Sequence, residues 1–123
     1  MIQHQLEFDP DADGSALILR MVGTGGTLFS ARLEAPELDD LIRGLSDARS
    51  QLADPVAPEL DEGARITNII VDPAYIVGKN SRKGQALLAL RHPGLGWLGF
   101  QLRRPVVEAM VERLQAWLRG DLR

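Results

Sequence analysis

The string Asp9-Pro-Asp-Ala-Asp-Gly14 carries the opening chemistry of a calcium loop. Alternating carboxylates offer hard oxygens, and the glycine lets the backbone turn sharply round an ion. Such a loop closes on a bidentate glutamate at its twelfth position, where this chain has Arg20. The plainer reading makes Asp9, Asp11 and Asp13 a polar hairpin turn that uses Asp, Pro and Gly for backbone reasons. A second string, Gly78-Lys-Asn-Ser-Arg-Lys-Gly84, has the look of a phosphate loop. That motif needs a glycine where Pro73 stands and a hydroxyl where Asn80 stands. It also needs a helix to follow, whereas the chain here runs into a strand. What survives is a basic hairpin loop, with Lys79, Arg82 and Lys83 able to touch a polyanion.

Other chemistry is sparse. Of the two histidines, His4 lies in a strand and His92 in the turn His92-Pro-Gly-Leu-Gly96, without partners at catalytic or metal-ligand spacing. No Gly-x-Ser-x-Gly elbow occurs. Zero cysteines remove disulfides, thiolate metal sites and cysteine nucleophiles together. The expectation is no catalytic residue, no cofactor and no dedicated metal site. Trp97 and Phe100 flank a glycine-rich strand and could stack on bases. Being three apart, they fall on opposite faces of a regular strand, so only one can join any platform. The simpler place for Trp97 is a core or an oligomer seam, where the glycines permit close backbone approach.

Elements must position these groups, and 123 residues suffice for one domain with a core. The composition, 45% hydrophobic and 25% charged, is that of an ordinary globular chain rather than a disordered one. No apolar run reaches the ~18 residues of a membrane span. The first seven residues, Met-Ile-Gln-His-Gln-Leu-Glu, hold neither a basic nor an apolar signal region, so a cytoplasmic location is expected.

The second half rewrites the first. Gln5-Leu-Glu-Phe-Asp-Pro10 is echoed by Asn68-Ile-Ile-Val-Asp-Pro73, and Ala16-Leu-Ile-Leu-Arg20 by Ala86-Leu-Leu-Ala-Leu-Arg91. Leu28–Leu33 pairs with Trp97–Leu102, and Pro36 and Pro105 each open a segment of helical period. From the third strand onward the offset is 69 residues; between the Asp-Pro motifs it is 63, which places about six extra residues around 77–83 of the second copy. Each copy reads strand, strand, strand, helix. The expected fold is α+β: a tandem duplication of a βββα unit, antiparallel sheet or sheets covered by two amphipathic helices, with a pseudo-twofold. The repeat units are 1–52 and 65–123, joined by a connector at 53–64 that holds two prolines and four acids. Neither unit alone can hide its apolar face, so one cooperative domain is expected.

Charge divides the copies. Residues 1–63 carry 4 basic and 13 acidic side chains, a net of −9; residues 64–123 carry 10 basic and 4 acidic, a net of +6. Such a split marks electrostatic complementarity or an anionic partner. The leading expectation is a non-enzymatic protein that self-associates as a homodimer and acts by binding. One alternative is single-strand nucleic-acid binding through the basic copy; in layout alone the chain resembles the PurA and Whirly-like binders, which use longer ββββα repeats. Another is a small-ligand or enzymatic site between the repeats. The surface to watch for an anion or acidic protein partner is Lys79, Arg82, Lys83, Arg91, His92 and Trp97.

Overall fold

In the computed structural model, residues 4–66, 68–79 and 84–122 are described. Alternation and turn chemistry produce a meander in the first part of the chain. Strands β1 (Gln5–Pro10), β2 (Ala16–Gly23) and β3 (Gly26–Glu34) form an antiparallel sheet in that order, and helix α1 (Ala35–Ser50) follows without a loop. The same order then recurs: β4 (Tyr75–Lys79), β5 (Gln85–His92), β6 (Gly96–Arg103) and α2 (Arg104–Leu118). The chain divides into two units, Met1–Ala64 and Arg65–Arg123, each with its own three-stranded sheet and helix. The fold is α+β with an internal repeat.

Register shows how faithful the repeat is. Phe8 faces Leu19 and Leu19 faces Ala31; 69 residues later Val77 faces Leu88 and Leu88 faces Phe100. One offset therefore serves all three strands and the helix. The insertion expected at 77–83 does not exist: β1 to β2 and β4 to β5 are each bridged by five residues. Asn68–Pro73 is not the first strand of the second unit, which is Tyr75–Lys79 instead. The backbone turns over at Asp72, whose φ of 45° lies in the left-handed region that no strand adopts. Asp9-Pro10 ends an edge strand, where a proline without N–H is tolerated, and Asp72-Pro73 precedes one. The dipeptide is similar and its job is different. Likewise Ala16 corresponds to Gln85, and Arg20 to Ala89.

The hairpin turns absorb one residue differently. Between β2 and β3 the loop is two residues, and a bulge at Met21/Val22 takes up the extra one. Between β5 and β6 the ladder is regular, the loop holds three residues, and Gly96 supplies a φ of 78°.

The two helices differ at both ends. In α1 the Glu34 side chain accepts from the backbone N–H of Glu37, while the Glu37 side chain accepts from the Glu34 amide, a reciprocal capping box. The N-cap of α2 is Arg103, with no side-chain cap. At the other end α2 closes in a Schellman motif: Gly120 donates to the Trp117 carbonyl and Asp121 to that of Ala116, both at 2.9 Å. Each helix touches the last two strands of its own sheet. Leu38, Leu41, Ile42 and Val107 are half-buried, but no residue of either helix is fully buried, and Leu45, Leu114 and Trp117 stand open. Among the described residues no helix is long and apolar enough to cross a membrane.

Candidate interaction surfaces

Side chains alternate across a strand, so the registers sort every strand residue onto one of two faces. One face of the first sheet carries Leu6, Phe8 and Pro10 from β1, Leu17, Leu19 and Met21 from β2, and Phe29, Ala31 and Leu33 from β3. It contains no polar residue. The equivalent face of the second sheet carries Tyr75, Val77 and Lys79, then Ala86, Leu88 and Leu90, then Leu98, Phe100 and Leu102. Lys79, at the end of its strand, is the single charge. Six of their residues are open, Leu6, Phe8, Phe29, Tyr75, Val77 and Phe100 being 46–71% exposed, while the residues of the central strands β2 and β5 on these faces are half-buried. The only fully buried hydrophobic residues among those described are Ala16 and Ala89.

The opposite face of the first sheet carries ion pairs around the apolar Ala16, Ile18 and Val22 of β2. Arg20 Nη2 donates to Asp9 Oδ2 at 2.7 Å and lies 3.3 Å from Glu7 Oε2. Arg32 reaches Asp11 Oδ2 at 3.1 Å and Glu34 Oε1 at 3.3 Å. Asp11 also organises the β1–β2 turn, since its Oδ1 accepts the Ser15 amide at 3.0 Å and the Ala16 amide at 3.3 Å. Asp13 accepts the same Ser15 amide at 3.0 Å. Hydrogen bonding from Ser15, side chain first and amide second, then from Asp11, holds the Asp13 carboxyl at about 2. The hydrogen bond with Asp11, and then that with Glu34, raises the Arg32 guanidinium further above its already high value.

The three carboxylates of the calcium-like turn are thus taken up by contacts within the protein, Asp11 and Asp13 sharing the Ser15 amide. Asp9 is spent on Arg20, Asp11 on Arg32 and two backbone amides, and Asp13 on Ser15. Among the described residues no group of three or more His, Asp or Glu is placed to hold a metal ion.

Of the expected binding residues that are described, the strand register makes direct partners of Arg91 and Trp97 alone. They are direct cross-strand partners on the second sheet's less apolar face, and Trp97 is 51% exposed rather than in a core. Phe100 lies on the other face, as the spacing of three requires. Lys79 and His92 stand on the apolar side at opposite ends, opposite Ala86 and Gly96, roughly 20 Å apart along the strand direction at about 3.4 Å per residue. The His92 ring serves its own turn: Nδ1 accepts the amides of Gly94 at 2.9 Å and Leu95 at 3.0 Å. Arg82 and Lys83 lie outside the described residues.

Residue-by-residue reading of the sequence overlooked the two continuous apolar faces. Their signal was present, because Leu28–Leu33 already alternates wet and dry. It becomes a surface only when all three strands are laid in register. Comparison with protein-family models, curated proteins and solved structures found no match to this chain.

Proposed function

We propose that this chain is a non-enzymatic, cytoplasmic protein that self-associates as a dimer and acts by binding. One observation carries the reading: each unit has a sheet face built wholly or almost wholly from apolar side chains, on which Leu6, Phe8 and Phe29 of unit 1 and Tyr75, Val77 and Phe100 of unit 2 stand about half open to water or more while the remaining leucines are half-buried. Scattered apolar residues are normal on a surface; contiguous ones on two equivalent faces mark an interaction site. Covering such area returns roughly 25 cal/mol per Å² before the costs of association.

A second reading has an observation of its own. On the less apolar face of the second sheet, Arg91 stands beside Trp97, Arg103 lies on the same side, and none of the described strand residues on that face is a carboxylate. A cation next to an exposed aromatic suits a stacked base and its phosphate.

One experiment addresses both. Size-exclusion chromatography with light scattering, at low and high salt and with absorbance read at 260 and 280 nm, is expected to give a nucleic-acid-free dimer. A monomer at every concentration overturns self-association. A peak with excess 260 nm absorbance favours the second reading.

A further inference from the structure

We infer that the dimer pairs reciprocally: the apolar face of unit 1 in one copy is covered by the apolar face of unit 2 in its partner, and the reverse. The inference rests on the self-association proposed above and names which face takes which.

Charge is the first ground. Unit 1 carries a net −9 and unit 2 a net +6. Setting unit 1 against unit 1 brings two strongly acidic bodies together, and unit 2 against unit 2 two basic ones. Pairing unlike units turns both repulsions into attraction, and this is how electrostatics selects a register while apolar area supplies the affinity. The bulk of the two faces is the second ground. At equivalent positions unit 1 has Phe8 and Ala31, where unit 2 has Val77 and Phe100. Large stands for small and small for large, so the unlike faces differ in relief as interdigitating layers do.

Area is the third. Three strands ~4.8 Å apart and about eight residues long at ~3.4 Å each present a face on the order of 400 Å². Two faces per copy then bury roughly 800 Å² per partner, the size of a standard stable interface. A twofold dimer with both contacts satisfied is closed and leaves neither face over.

The test uses two full-length variants, Phe8→Arg and Val77→Glu. Both sites are exposed on edge strands, at 61% and 68%, and occupy equivalent positions. Each variant alone is expected to run as a monomer of 13.5 kDa, because both of its contacts bury an uncompensated charge. Mixed in equal amounts, they are expected to double in mass: one contact is then wild type and the other sets arginine against glutamate. A mixture that stays monomeric while the wild type dimerises overturns reciprocal pairing and leaves self-association standing. A monomeric wild type overturns both.

A readout without substitutions guards against misfolded variants. The chain's two lysines, Lys79 and Lys83, both belong to unit 2. Carbodiimide coupling of mixed unlabelled and ¹⁵N-labelled wild-type protein is expected to join Lys79 of one copy to unit 1 carboxylates of the other. Inter-copy links confined to unit 2 overturn the inference.

Discussion

The two units share a backbone and disagree about one face. In unit 1 that face holds Glu7, Asp9, Arg20, Arg32 and Glu34, tied by four ion pairs with the turn residue Asp11 included. The residues 69 further on are Ile76, Gly78, Ala89, Gln101 and Arg103, among which no ion pair can form. The ladder is nevertheless the same, strand for strand and partner for partner, apart from one bulge. What the copies do share is the apolar face, with Lys79 and His92 at its ends as the exceptions. Backbone pairing plus that face therefore specifies the unit, and the ion pairs decorate it. This agrees with the small worth of exposed salt bridges, since the Arg20 and Asp9 side chains are 39% and 56% open to solvent.

The comparison can be pressed hardest at the helix ends. Unit 2 ends α2 on Gly120 at a φ of 79°, and unit 1 ends α1 on Gln51 in the right-handed region. Gly120→Ala is expected to cost about 1 kcal/mol by thermal or denaturant unfolding, because a Cβ there is strained. Gln51→Ala is expected to cost nothing measurable. Equal losses at the two sites would show that the asymmetry of the ends carries no energy.

A milder change makes unit 1 resemble unit 2. Arg20→Ala copies Ala89 and deletes two ion pairs, yet the expected loss is below about 1 kcal/mol. An intact strand signal by circular dichroism should accompany it. A loss of several kcal/mol would return the ion pairs to the foundation of the unit.

The smallest effect belongs to the β1–β2 turn. Asp13 is held at about 2 against an ordinary 3.8. A depressed folded value means that the contribution is complete above the unfolded value and is lost as pH falls from about 3.8 through about 2. Carboxyl ¹³C titration of Asp13, with the Ser15 amide as reporter, should show that midpoint. Asp13→Asn should abolish this component of the acid dependence. A midpoint near 4 would mean that the turn does not hold the carboxylate.

Much of this architecture was legible beforehand. The hairpin strands 16–22 and 27–34 end within one residue of β2 and β3, since apolar runs bounded by glycine leave few alternatives. Pro36 and Pro105 mark both helix starts because a first-turn amide has no partner to lose. The candidate site was less legible. Lys79, Arg91, His92 and Trp97 are neighbours in sequence, but the pleat separates Arg91 from His92, and the β5 register puts the strand's length between His92 and Lys79.

By itself, the sequence determined the order of elements, the repeat, its charge split and the helix starts, because these depend on period, prolines and composition along a short stretch of chain. Only the tertiary structure decided that β4 is Tyr75–Lys79, that one offset of 69 runs through the whole unit, and that nine apolar positions share a face. Those facts depend on cross-strand register. Register is set by packing between segments distant in sequence, where a slip of one residue turns every side chain to the other face.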